Sequence, residues 1–450
     1  MKKTGQPAQE AMAASVPQPM REANIAALVA YFESGIKPAR EDAVAEAVHK
    51  NERLGIELEH IIVESTTLAP VSYSEENGIL WVLEQFREDY PEAYHDIAGD
   101  LLGLSRPGAA ISLEPAAQLE LSAGPFASLA EAMSCYEGFE ARLAQILAQV
   151  GKRVVFTGYH PTARMRDLEL IPKRRYKFMN AYLGEIGEAG PCMMLGSAST
   201  QVSIDYHSVE DCLLKLRVAC ALVPILALIC DNSPIFEGRP RTHHLVRTKI
   251  WQDCDPERCG LVPGVMDPGF SLRRYAEYIL DTPAILIPCK NKEWCYAEEV
   301  FGELYAEKEM DSRAIEHAVS MFFNDVRLKT YIEIRPADAM PVPHVIAYAA
   351  LIKGLFYDPE NLARLAEAFM QVNGKDVEAA KVSLMKRGYH AAVYGRPVGE
   401  WADELMEMAA CSLGAEEAPY LAPLAELVAR RTTLAELCPL ADSASLPDSA

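Results

Sequence analysis

The segment Ile111–Pro125, ISLEPAAQLELSAGP, sets Glu114, Gln118 and Glu120 among residues that are otherwise apolar or small. An ionised carboxylate taken out of water is costly unless it is paired, hydrogen-bonded or bound to a metal. The chain therefore has to fold so that something cationic meets these groups. The pattern recurs. Leu54–Val63, LGIELEHIIV, carries Glu57 and Glu59 two residues apart, and Thr330–Asp338, TYIEIRPAD, carries Glu333 and Arg335 at the same spacing. Residues i and i+2 of a strand share a face. Each segment thus predicts a strand with two polar groups on one side and apolar residues on the other, and the repetition predicts a metal-bearing site.

The 450 residues, half of them hydrophobic, are enough for a large core. A net charge of −21 argues against a general nucleic-acid binder, which needs an excess of clustered Lys and Arg. It suits a soluble surface and is compatible with a magnesium-dependent site. The 11 cysteines are irregularly spaced; neither Cys254 with Cys259 nor Cys289 with Cys295 makes the CxxC pair of a zinc site. Most read as reduced thiols, with Cys212, Cys220 and Cys230 buried in an apolar helical run. The leader MKKTGQPAQEAMAASVPQP has no sustained apolar stretch and reads as a flexible start rather than a signal peptide. Val218–Cys230 is short for a membrane span and contains Pro224, so it reads as a buried core helix. No membrane partner is expected, and cytoplasmic location is the default expectation.

Apolar spacing predicts helices over Arg21–Ser34, after Pro38, over Glu75–Tyr90 and over Ser128–Val150. Besides the acidic segments, Val154–Gly158, Met193–Tyr206 and Ala284–Pro288 read as strands. After Asp338 the pattern is mainly helical to about Arg431. Strands polar on one face do not suit a parallel sheet buried on both sides. The expectation is an α+β fold: an open, largely antiparallel sheet whose polar, concave face is the active site, with helices on its back. Residues 21–438 are expected to form a single catalytic domain, mainly helical from about 339, between a flexible leader (1–20) and tail (439–450).

These strand motifs, together with PKRRYKFM (Pro172–Met179), CMMLGSASTQVSIDY (Cys192–Tyr206), NSPIFEG (Asn232–Gly238) and VRTKIWQDCDPERCG (Val246–Gly260), resemble the plant-type glutamate-cysteine ligase family in order along the chain, from about Asn51 to Leu437. The resemblance implies a fold related to glutamine synthetase, a half-barrel sheet cupping ATP and divalent metals. It also implies an enzyme that joins the γ-carboxyl of L-glutamate to the amine of L-cysteine through a γ-glutamyl phosphate, with ATP as co-substrate. That reaction is the first step of glutathione-type thiol synthesis. A carboxylate attacking a phosphate is an anion approaching an anion, so charge neutralisation and positioning carry the catalysis. Two or more Mg²⁺ ions, which prefer oxygen ligands, fit a set of glutamates better than a His/Cys cage would.

By this resemblance Glu57, Glu59, Glu114, Glu120 and Glu333 are the candidate metal ligands. Arg335 is the candidate for phosphate oxygens and Arg247 for a phosphate or a substrate carboxylate, with Gln201 and Arg175 as further binding residues. From the residues alone, Glu57 with Glu59 also fits an exposed edge strand, and Glu333 with Arg335 also fits a structural ion pair. His60 reads as packed or hydrogen-bonded, and His243 and His244 as a solvated pair. Two departures from the family pattern stand out. Gly196 replaces a usual arginine, and Ala116 and Ala117 replace two glycines. The first bears on carboxylate recognition; the second on the shape of the loop after Pro115, since Ala does not share the freedom of Gly at positive φ. The alternatives are a ligase of the same mechanism acting on another amine, and a catalytically silent nucleotide-binding homologue.

Overall fold

In the computed structural model, which describes residues 18–37, 52–289 and 294–438, strand β1 (Leu54–Glu64) buries Leu54, Ile56 and Leu58 on one face and carries Gly55, Glu57 and Glu59 on the other. Strands β2 (Glu92–His95), β3 (Leu101–Arg106), β4 (Ala109–Leu113), β5 (Leu119–Phe126), β6 (Lys152–Val155), β7 (Ser199–Ile204), β8 (Val326–Leu328) and β9 (Ile332–Asp338) complete a nine-stranded sheet. The order is β8-β9-β7-β1-β5-β4-β3-β2, with β6 on the far end of β1. Every pairing in it is antiparallel and the sheet is open, as the one-sided polarity predicts. Register brings the motifs together: Glu57 stands opposite Gln201 on one side and Ser122 on the other, Glu59 opposite Glu120, and Arg327 opposite Glu333.

Helix α1 (Gln18–Glu33) begins inside the stretch read as a flexible leader. Residues 1–17, the tail 439–450 and the helix expected after Pro38 lie outside the described residues. The helix expected over Glu75–Tyr90 shrinks to α2 (Ile79–Gln85). Glu75 instead accepts the Ser72 N–H at 2.9 Å in a tight turn, and Gly78 sits where a Cβ would come within 2.5 Å of the Ser72 carbonyl. Helix α3 (Leu129–Ala148) packs behind the sheet, with Ser128 as N-cap accepting the Glu131 N–H. Its Tyr136 hydroxyl donates to the Ile56 carbonyl at 2.5 Å, with the Leu121 carbonyl 3.1 Å away, and so spans β1 and β5.

The expected strand Met193–Tyr206 divides into two elements. Helix α4 (Arg174–Ile186) is followed by α5 (Gly190–Gly196), and β7 starts only at Ser199. Pro191 occupies the first turn of α5, where no N–H is needed, and Cys192–Leu195 lacks the β-branched residues that Thr200, Val202 and Ile204 bring to β7. Helix α6 (Val209–Ile229) is long and apolar enough to cross a membrane by composition, yet 83% of its most apolar window is buried inside the fold. It is the core helix expected, and Cys212, Cys220 and Cys230 are buried along it. After α7 (Val246–Gln252), the helices α8 (Val342–Phe356) and α9 (Val398–Glu417) pack closely. A Cβ at Gly354 would lie 2.7 Å from Ala409 Cα, which only glycine permits. The expected strand at Ala284–Pro288 belongs to a hairpin, Pro283–Pro288 with Trp294–Val300, that carries a Cys289–Cys295 disulfide; the other nine cysteines are free.

Candidate active site

The polar face of the sheet floors a cavity of about 290 Å³. Glu57 and Glu59 from β1, Glu120 from β5 and Glu114 just after β4 line it. Glu59 and Glu120 are buried, whereas Glu57 and Glu114 keep part of their surface in the cavity. Burial, then the charges of Glu120 and Glu333, push the Glu57 carboxyl up to about 8. Burial and Glu120 push Glu59 to about 7; burial and Glu59 push Glu114 to about 7; Glu120 is raised by burial and Glu114. Neutral hydrogen bonds hold part of this charge. Ser112 donates to Glu120 at 2.7 Å, and the Ser199 hydroxyl and N–H donate to Glu59 at 2.6 and 2.9 Å. Four crowded carboxylates offering only oxygen donors suit a hard divalent cation such as Mg²⁺. Among the described residues no three of them converge into a ready-made cage.

Glu333, expected as a fifth metal ligand, has different surroundings. It is fully buried, and its oxygens accept from Arg327 at 2.7 Å, Arg335 at 2.9 Å and Lys329 at 2.9 Å. Burial alone would raise its pKa, but Arg327, Lys329 and Arg335 outweigh it and hold the carboxyl well below its usual range. The ion pair between Glu333 and Arg335 is thus present, and a metal reaching Glu333 has to displace a cation. Arg335 also donates to Gln201, whose amide lies 3.4 Å from Glu59, so one chain of contacts joins the cationic side of the site to the acidic side.

Arg247 and Arg175 both line the cavity from the helical side. Arg247 is buried and donates to the Ala337 carbonyl at 3.0 Å, with Asp338 at 3.5 Å; Asp338 in turn braces the Asn232 N–H and the Ser233 hydroxyl. Arg175 donates to the carbonyl and hydroxyl of Ser320 at 3.2 and 3.0 Å. Each guanidinium keeps an Nε without a partner among the described residues. Lys173, Arg327 and Lys329 line the same cavity; Lys173 belongs to the basic run of the PKRRYKFM motif, whereas Arg327 and Lys329 were not singled out by the motif reading. For the last two the signal was present: Arg327 lies on β8 and Lys329 just beyond its end, two residues apart as Glu333 and Arg335 are on β9. His60 points to the opposite face, between the Leu119 carbonyl (2.7 Å) and Glu140 (2.6 Å), and His243 and His244 do not line the cavity.

The two departures resolve differently. Ala117 adopts a positive φ of 66°, which a glycine would take freely and which strains an alanine. Gly196 does not face the cavity; a Cβ there would run into the Tyr159 ring, leaving no room for an arginine. Further along the same sheet face lies a second cleft of about 590 Å³, lined by Gly55, Gly108, Gly124, Arg53, Arg106 and Tyr331 among others. Glu57 is the one described residue that lines both spaces.

Among known proteins, the chain is 30% identical over 423 residues to glutamate–cysteine ligase B, chloroplastic, of Oryza sativa subsp. japonica, covering 91% of this chain and 82% of that protein. It is 29% identical over 442 residues to glutamate–cysteine ligase, chloroplastic, of Arabidopsis thaliana, covering 96% and 81%. These names overturn the default expectation of a cytoplasmic location, which rested on nothing more than the missing signal-peptide pattern. Among solved structures, glutamate–cysteine ligase (GshA) of Francisella tularensis in complex with AMP shares the fold, with a TM-score of 0.53, 12% identity and 87% of each chain covered. The sequence model of glutamate-cysteine ligase family 2 (GCS2) matches residues 53–436, and with the open antiparallel sheet and its acidic face in place, the chain belongs to that family and is a ligase acting on small molecules.

Proposed function

We propose that the protein uses ATP to join the γ-carboxyl of L-glutamate to the amine of L-cysteine through a γ-glutamyl phosphate. The supporting observation is the meeting of two spaces at Glu57, with carboxylates on one strand pair and cations on another. In this reading the nucleotide lies in the 590 Å³ cleft, along the backbone of Gly55, Gly108 and Gly124. Its phosphates point past Glu57 toward Arg335, Arg327 and Lys329. The amino acids occupy the 290 Å³ cavity, and the guanidinium groups of Arg247 and Arg175 on its wall receive carboxylates there, as a planar guanidinium is built to do.

Glu57, Glu59, Glu114 and Glu120 are the residues that would hold Mg²⁺, with Glu333 joining them when its cations turn to phosphate. The bound ion would neutralise phosphate oxygens during transfer. Arg335, Arg327 and Lys329 then offset the charge on the transferring group, and Gln201 keeps Arg335 aligned with the acidic side. The altered residue at Gly196 does not argue for another amine, because it lies under Tyr159 rather than in the cavity.

The test is ADP release by purified protein with Mg-ATP and L-glutamate, comparing L-cysteine with a panel of other amines and omitting glutamate in a control. Turnover that needs both glutamate and cysteine, with γ-glutamylcysteine identified by mass, supports the proposal. Turnover with a different amine alone replaces the acceptor and keeps the mechanism.

A further inference from the structure

Two buried polar atoms with opposite needs flank one small void. Arg247 Nε carries a hydrogen and Asn324 Oδ1 offers lone pairs, and neither has a partner among the described residues. Arg247 is 4% exposed and Asn324 is 0% exposed. Both line a void of about 20 Å³, together with Thr248, Trp251, Phe323 and Asp325. The Asn324 amide is oriented by its neighbours. Its Nδ2 donates to the Tyr278 hydroxyl at 3.1 Å, and that hydroxyl donates onward to the Glu257 carbonyl at 2.9 Å, so the oxygen is left facing away from Tyr278.

Leaving each group unpaired costs roughly 1–3 kcal/mol. A polar void above about 10–15 Å³ holds one water when two or more polar groups reach it. Arg247 and Arg335 on the wall of the void disfavour a cation there, and Asp325 on the same wall disfavours an anion. Water alone meets both demands, accepting from Nε–H and donating to Oδ1. Trp251 also lines a cavity of about 890 Å³ beside the void.

We infer that a buried water bridges Arg247 and Asn324, and that Asn324 is a positioning residue for Arg247. Asn324 does not line the substrate cavity, so it acts only through the arginine. One Nη of Arg247 is already held by the Ala337 carbonyl. With Nε tied as well, the guanidinium plane is fixed and its remaining edge faces the cavity. The functional part rests on the proposed role of Arg247 as a carboxylate anchor; the water itself does not.

A high-resolution crystal structure of the wild-type protein without substrates decides the first part. One ordered water within about 2.7–3.2 Å of both atoms is expected, and an empty void overturns the inference. Kinetics decide the second. Asn324→Leu keeps the volume and drops the acceptor, and is expected to raise the KM of one amino-acid substrate about tenfold, with kcat and the ATP KM unchanged. Tyr278→Phe removes the hydroxyl that orients the amide but leaves Oδ1 in place, and is expected to raise the same KM by a smaller factor. Equal KM shifts in the two variants, or none in Asn324→Leu, would overturn the positioning role. If another amine proves to be the acceptor, the same comparison is made with that amine, so the two proposals fail separately.

Discussion

Glu57 and Glu333 share a sheet face but sit in opposite electrical surroundings, and mutation should expose the difference. Above about pH 8, where Glu57 is ionised, Glu57→Gln removes one of several mutually repelling charges, so the metal-free protein should gain about 2 °C or more in Tm while losing activity. Glu333→Gln strips Arg327, Lys329 and Arg335 of their shared, fully buried anion and should cost about 3 kcal/mol along with ADP formation. Chemical denaturation of both variants without metal checks the sign of each; stabilisation of both would remove Glu333 from its structural role. Two further substitutions test the departures from the family pattern. Ala117→Gly should stabilise by about 1 kcal/mol by relieving the positive φ, and Gly196→Ala should destabilise by about 1–3 kcal/mol through the clash with Tyr159. The acidic residues were legible because charge inside an apolar strand needs an explanation. Arg327 and Lys329 were not, because alternating basic residues read equally well as a solvated strand face. The surroundings of Gly196 depend on a ring distant in sequence, which no local pattern reports.

At the level of elements, the strand register does the gathering, and α3 secures it. The Tyr136 hydroxyl reaches the backbone of both β1 and β5, the pair that sets Glu59 opposite Glu120. Tyr136→Phe should therefore cost about 1 kcal/mol, and hydrogen exchange should speed up in β1 and β5 before other strands. Uniform acceleration across the sheet would deny α3 this role. Strands with period-two alternation were readable in outline. Helix α5 was not, since a short apolar run fits either a strand or a helix, and Pro191 is the only local sign of which. Nor was the truncation of α2, where the apolar spacing continues past the point at which Glu75 is spent on a turn.

For the whole molecule, the charge distribution sets the response to pH. Glu57, Glu59 and Glu114, at about 8, 7 and 7, titrate above their values in the unfolded chain, about 4.3. Between about pH 5 and pH 8 the native state thus binds more protons than the unfolded state, and metal-free stability should fall as pH rises, levelling off above about 8. Glu333 works in the other direction, and its contribution is lost only as acid protonates it. Adding Mg²⁺ should release protons and raise Tm more at pH 8 than at pH 6. An equal rise at both pH values would place the metal away from these carboxylates. The antiparallel sheet was foreseeable from one-sided polarity, while the division of its face into two spaces was not, because it depends on loops distant in sequence. That division carries a kinetic consequence. On the proposed placement of nucleotide in the cleft and amino acids in the cavity, with Glu57 as the one common wall among the described residues, neither need wait for the other and initial-rate patterns should be those of random addition.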